Sequence, residues 1–279
     1  MESIEERRNV VYGDAGGRPL RLDIYRPAQP NGAAVLMVHG GGWSRGSKDM
    51  LTSHARALAS QGFVALAQEY RLTGEAPFPA CIHDVKRAIR WTRSQAGELG
   101  FDPEKLCLEG HSAGAHLVLL AAGTPDDARL DPPEGSGGVS AKVAAVAAIY
   151  PPTLFYLDGP RPSGGMSASV LPGADASAGV AALASPMTHV AAGYPPTMLL
   201  HGDADKVVPV SASRRFEEQV RAVGGKVDLH IYAGLPHGFA SHPDLLPPMM
   251  SMIGAFFRRW TIAPEVFPMA PQPAASSPR

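Results

Sequence analysis

Disulfide bonds are not the framework of this chain: its 279 residues contain only two cysteines, Cys81 and Cys107. Cys107 lies in an apolar strand-like run and Cys81 near the start of a helix-like one, where free thiols behave as small hydrophobes. No uninterrupted apolar stretch approaches the ~20 residues that a membrane-spanning helix needs. Lys and Arg number 25 against 26 Asp and Glu, a net charge of −1, and they are scattered, so there is no basic footprint for nucleic acid or for an anionic membrane. There is no H-E-x-x-H, and His111 and His116 are not at the four-residue spacing that puts two ligands on one helix face, so no metal is expected. No internal repeat is evident. The stretch Met1-Glu2-Ser3-Ile4-Glu5-Glu6-Arg7-Arg8 is charged where a secretory signal needs an apolar run. A cytoplasmic protein is therefore expected, unless a signal has already been removed. The partner expected is a small organic molecule, and the composition leaves a homodimer open.

With 45% hydrophobic residues, a chain of this length can bury one large core. Strand-like runs are read at Arg18–Arg26, Ala33–His39, Phe63–Tyr70, Lys105–Gly110, Val143–Tyr150, Thr197–His201 and Val227–Tyr232. In the first, Leu20, Leu22 and Ile24 alternate with charges, as in an edge hairpin; several later ones are continuously apolar, as burial on both faces requires. Helical periods fall between them. Ile82, Val85, Ile89 and Thr92 trace one stripe over Pro79–Ala96, Phe216, Val220 and Val223 another over Val210–Val223, and Met249, Ile253, Phe256 and Phe257 a third over Pro247–Trp260. The alternation predicts an α/β protein with a mostly parallel sheet of about eight strands and helices on both faces. Residues 1–260 are expected to form a single catalytic domain. Thr153–Ala184, rich in Gly, Pro, Ala and Ser, reads as a small insertion over the site, and Thr261–Arg279 as a disordered tail.

Four segments carry chemistry. Gly110-His111-Ser112-Ala113-Gly114 is a G-x-S-x-G pentapeptide, which composition alone produces in roughly one such sequence in five. Its setting carries the weight: the strand run ends at Glu109 and the helical run begins at His116, so Ser112 falls on a sharp strand-to-helix turn that exposes a nucleophilic hydroxyl. His39-Gly40-Gly41-Gly42-Trp43 follows another strand run. Glycines there let backbone N–H groups approach a developing oxyanion, which assigns Gly41 and Gly42, with the N–H of Ala113, to an oxyanion hole. His201-Gly202-Asp203-Ala204-Asp205 brings two carboxylates to the same sheet edge. Either is placed to orient a histidine; the helix that begins after Val208-Pro209 favours Asp205, which leaves Asp203 to stabilise the turn. His237, after the last strand run, completes the order Ser112, Asp205, His237. Trp43, Phe155, Tyr156 and Phe239 are candidate walls of an apolar substrate pocket, and His39 and His201 are read as hydrogen-bonding the loops around the site.

These segments resemble the α/β-hydrolase esterases with an H-G-G-G motif, a group with hormone-sensitive lipase-like and acetyl- and feruloyl-esterase-like branches. The resemblance covers about Arg18 to Trp260. It is strongest with the small feruloyl- and acetylesterase-like members, in His39–Lys48 (HGGGWSRGSK), Phe78–Trp91, Asp102–Gly114 (DPEKLCLEGHSAG), Ser185–Val190 (SPMTHV) and His201–Pro209 (HGDADKVVP). It implies a serine carboxylesterase acting on short-chain or hydroxycinnamoyl esters through an acyl-enzyme, with Ser112, Asp205 and His237 as triad and no cofactor. Two rivals stay open: an arylformamidase-type amidase using the same triad, and an inactive α/β-hydrolase that only binds its small molecule.

Overall fold

The computed structural model describes residues 3–156, 166–167 and 177–263. The expected disordered tail, but for its first three residues, and most of the expected insertion, with Leu157, lie outside the described residues.

The described strands are β1 (Ile4–Asp14), β2 (Pro19–Pro27), β3 (Gly32–Val38), β4 (Val64–Gln68), β5 (Phe101–His111), β6 (Ala145–Ile149), the two-residue strands β7 (Phe155–Tyr156) and β8 (Met166–Ser167), then β9 (Thr197–Gly202) and β10 (Val227–Tyr232). The helices are α1 (Thr52–Ala59), α2 (Ala80–Ser94), the one-turn α3 (Ala96–Leu99), α4 (Ala113–Gly123), α5 (Ala178–Ala184), α6 (Ser211–Ala222) and α7 (Leu246–Thr261). Eight strands form one sheet in the order β1-β2-β4-β3-β5-β6-β9-β10, parallel from β4 to β10, with β1 and β2 antiparallel at one side. This is the mostly parallel eight-stranded sheet that the strand and helix pattern predicts, and the α/β-hydrolase fold that the resemblance implies.

Alternation along the strands divides the core. Ala34, Leu36 and Val38 of β3 face the side covered by α2, α4 and α6, where Ile82, Val85, Leu117 and Phe216 are buried. Val35 and Met37 face the other side, against Leu58 of α1 and Ile253 and Phe257 of α7. Both faces of β3, β4, β6 and β9 are thus closed from water, and the continuous apolar runs follow from that. The predicted stripe on α2 is buried at all four positions. Cys81 and Cys107 are buried free thiols.

Two local expectations change. The run read as an edge hairpin, now β2, lies between β1 and β4, so the hairpin's outer partner is β1, which the sequence reading does not contain. Helix α1 is likewise absent from that reading; only His54, Ala55, Leu58 and Ala59 of its eight residues are buried, too short a stripe to read by period.

Parallel strands point their C-terminal ends the same way. The loops after β3, β5, β6, β9 and β10 therefore gather at one sheet edge, where open α/β sheets bind their ligands.

Candidate active site

Ser112 occupies the turn between β5 and α4 with φ 50° and ψ −114°, a backbone conformation that non-glycine residues avoid. The turn is held from both sides: the Ser112 N–H donates to the Ile149 carbonyl at 2.9 Å, and the His116 N–H to the Ser112 carbonyl at 2.9 Å. Gly114 permits the close crossing of α4 over β3, because a methyl on its Cα would run into the carbonyls of Val38 and His39. Steric freedom at residue 114 and strain at residue 112 together raise the serine hydroxyl above the sheet edge.

His237 meets it. Its Nε2 lies 2.9 Å from Ser112 Oγ, and its Nδ1 lies 2.6 Å from Asp205 Oδ2. A carboxylate only accepts, so Nδ1–H donates to Asp205 and Nε2 is left to accept the serine proton. Asp205 Oδ1 accepts the N–H groups of Val207 and Val208 at 2.8 and 2.9 Å. Burial pushes the Asp205 carboxyl up, but hydrogen bonds from His201, His237 and those two N–H groups outweigh it and hold the group well below the usual carboxylate range. Asp203 bonds not its own turn but the loop after β10, accepting the Gly234 N–H.

Sequence reasoning gives His201 a loop-bonding role, and its Nε2 does lie 2.9 Å from the Val208 carbonyl while Nδ1 lies 2.8 Å from Ser213 Oγ. It misses that the same Nε2 is 3.3 Å from Asp205 Oδ2. His39 likewise bonds its loop, with Nδ1 2.7 Å from the Gly40 carbonyl and its ring stacked on Tyr70 at 4.5 Å.

The loop Gly40–Gly46 is wound around the Gly41 carbonyl, which accepts the N–H groups of Ser44 and Arg45 at 3.3 and 3.2 Å. Gly41 adopts φ 119°, where a side chain would collide with the Arg45 carbonyl. Gly41, Gly42 and Ser112 all border one cavity of about 300 Å³, together with Met50, Tyr150 and His237.

The proposed aromatic walls are a different matter. Trp43, Phe155, Tyr156 and Phe239 do not line this cavity. Trp43, at φ 59°, turns inward, donates its indole N–H to His116 Nδ1 at 3.1 Å and packs edge-on against His116 and Phe155. Tyr156 is half-buried beside a separate shallow depression on α5. Phe239 sits behind the site, against Tyr150 and Tyr232, and so supports the Tyr150 ring that packs on His237 at 4.4 Å. The cavity walls are Met50 and Leu51 from the turn before α1, Tyr150 at the end of β6, and Val207 in the Asp205 loop. Of these only Tyr150 carried a signal in the sequence, as the last residue of a strand run ending at the ligand-binding edge. His111, which also lines the cavity, has Nε2 2.5 Å from Glu109 Oε1 on β5.

An eight-stranded sheet of this order, with a serine, a histidine and an aspartate linked in series at its ligand-binding edge, defines an α/β-hydrolase of the serine type. The chain belongs to the BD-FAE family, whose model matches residues 22–220. It is 35% identical over 258 residues to the probable carboxylic ester hydrolase LipM of Mycobacterium tuberculosis, a match that covers 85% of this chain and 56% of that protein. The chain spans little more than half the length of the curated relatives LipM, LipC and LipQ that it matches. Thermogutta terrifontis esterase 2 phosphonylated by sarin superimposes with a TM-score of 0.79 at 28% identity, covering 94% of this chain and 95% of that one. The butyrate-bound form of that esterase gives a TM-score of 0.77 at 28% identity, with the same coverage. No helix among the described residues is long and apolar enough to cross a membrane.

Proposed function

We propose that the chain is a serine carboxylesterase that cleaves small esters through an acyl-enzyme on Ser112. The observation that carries this reading is the unbroken series Ser112 Oγ, His237 Nε2, His237 Nδ1 and Asp205 Oδ2, with steps of 2.9 and 2.6 Å. His237 takes the Ser112 proton as Oγ bonds to the ester carbonyl carbon, and returns it to the alcohol oxygen as the carbon–oxygen bond breaks. Water then enters, gives its proton to His237, adds to the acyl carbon and releases the acid, and the proton goes back to Oγ. Asp205 stays ionised throughout, holding Nδ1–H in place and stabilising the imidazolium that forms. The N–H groups of Gly41, Gly42 and Ala113 take the oxyanion; one such donor contributes on the order of 10²–10³ in rate. The chemistry calls for no cofactor.

A relative that sarin phosphonylates supports an activated nucleophile on this fold, and the butyrate-bound form supports a short acyl group. A cavity of about 300 Å³ stands at the small end of ligand pockets, which favours acetyl to butyryl esters and leaves hydroxycinnamoyl esters as the larger limit. The test is a rate panel of p-nitrophenyl acetate, butyrate, octanoate and decanoate with methyl ferulate and N-formylkynurenine, run beside Ser112→Ala. The expected result is fastest turnover of the two shortest esters and none in Ser112→Ala. Preference for the formamide would move the assignment to an amidase, and hydrolysis surviving in Ser112→Ala would end the assignment of the nucleophile.

A further inference from the structure

Two cations stand at the cavity mouth without an acidic partner among the described residues. Most arginines among the described residues are engaged by carboxylates, including Arg7, Arg8, Arg18, Arg56, Arg71 and Arg87. Arg45 is not: it lines the cavity, is exposed, and has no acidic partner among the described residues. Its backbone is fixed, since its N–H donates to the Gly41 carbonyl and its carbonyl and Cγ crowd the Gly41 Cα. The guanidinium therefore projects from the same loop that presents Gly41 and Gly42. Lys206, beside the cavity-lining Val207, is a second exposed cation without a partner among the described residues. The nearby carboxylates are directed to other groups. Asp49 faces Lys48 and Arg8, Asp203 accepts the Gly234 N–H, Asp205 is turned to His237 and Glu109 to His111. The mouth is also apolar: Met50 and Val207, each 56% exposed, are two of the four large hydrophobic side chains most open to water among the described residues, and both line the cavity.

We propose that this cavity selects amphiphilic anionic esters, in which an apolar stem lies against Met50 and Val207 and a carboxylate pairs with Arg45, assisted by Lys206. The selection rests on the esterase reading above and names the substrate class for that same site. Arg45 acts in binding; the proton transfers remain with His237. An exposed ion pair gives a modest preference that salt screens, so an effect of roughly 2- to 5-fold is expected.

The test has two arms, which separate a carboxylate on the acyl side from one on the alcohol side. The first compares the p-nitrophenyl half-ester of adipate with its methyl-capped neutral counterpart. The second compares the butyrate ester of 4-hydroxyphenylacetate with that of its methyl ester. In at least one arm kcat/KM for the anion should exceed that for the neutral ester. Arg45→Gln should lower that ratio roughly 2- to 5-fold through KM, Arg45→Lys should keep most of it, and raising NaCl from 20 to 500 mM should shrink it. A ratio at or below one in both arms, or one unmoved by Arg45→Gln, overturns the proposal. Labelling of Ser112 by an uncharged fluorophosphonate reads the serine hydrolase assignment separately: labelling without anion preference sinks the selectivity alone, and a protein that is neither labelled nor active on any ester sinks the parent reading.

Discussion

Both oxygens of the Asp205 carboxylate are committed, and to different tasks. Oδ1 accepts two N–H groups of its own loop, while Oδ2 faces His237 Nδ1. Asp205→Asn retains an oxygen for the loop but offers an amide NH₂ toward His237, so the ring must turn Nδ1 into an acceptor and carry its proton on Nε2, where Ser112 needs a base. The expected outcome is a fall in kcat on p-nitrophenyl butyrate of about 10³–10⁴-fold, with a melting temperature shifted by only a few degrees. A variant that keeps a tenth of the activity would remove the orienting role from Asp205. Residues of this kind were legible in the sequence because each sits in a local motif whose backbone demand is severe: Ser112 between Gly110 and Gly114, Asp205 four residues after His201, His237 just before Gly238. Trp43 shows where such reading stops. It adjoins the glycines of the cavity, yet a left-handed φ turns its indole to His116, and nothing within its motif encodes a partner 73 residues away.

At the scale of elements, β1 teaches the same lesson from the other side. Its sequence, IEERRNVVYGD, shows little apolar alternation, since it lies at the sheet border and pairs only with β2, so period-based reading passes over it. What fixes it is Asp23 of β2, which is buried and accepts Arg8 Nη1 at 2.6 Å, the Asn9 N–H at 2.8 Å and Lys48 Nζ at 3.1 Å. Burial alone would raise the Asp23 carboxyl, and these bonds more than offset it, leaving it below the ordinary range. Lys48 is itself buried and begins the short turn Lys48–Leu51 that carries Met50 and Leu51 to the cavity. Asp23→Asn would remove the buried counter-charge of Lys48 and leave it only the exposed Asp49 at 3.8 Å; breaking a buried pair typically costs about 3–5 kcal/mol. The unfolding free energy from urea titration should fall by that amount, seen as a lower midpoint at unchanged m-value, and KM for neutral esters should rise because the turn bearing Met50 loses its anchor. An unchanged midpoint would show that β1 and this turn are held by their backbone pairing alone.

Across the whole molecule, three buried histidines around the site set how it responds to acid. His39 lies beneath the glycine loop, His54 packs edge-on to His111 at 4.6 Å, and His116 bridges Trp43 and the Ala184 carbonyl. Burial is the main cause that draws them down from 6.5, to about 4 for His39 and His116 and about 3 for His54. In the unfolded chain each would take a proton near 6.5, so below that pH unfolding is accompanied by proton uptake and stability falls as pH falls, levelling only below about 4 or 3. With all three contributing near pH 5, the slope is roughly 4 kcal/mol per pH unit, large against a total stability of about 5–15 kcal/mol. Asp205 and Asp23 act in a separate window: their depressed folded values stabilise the protein above the carboxylate range, and that part is lost only at still lower pH. Urea unfolding between pH 7.5 and 5 should therefore show proton uptake by these three rings, with His83, which burial also draws down, adding to it. His116→Gln can keep both hydrogen bonds of the ring, accepting from Trp43 and donating to Ala184, while removing one proton, so its slope should drop by about a third. A stability that stays flat from pH 7 to 5 would contradict the neutral burial of these rings, and with it the idea that acid dismantles the site's supports before it reaches Asp205.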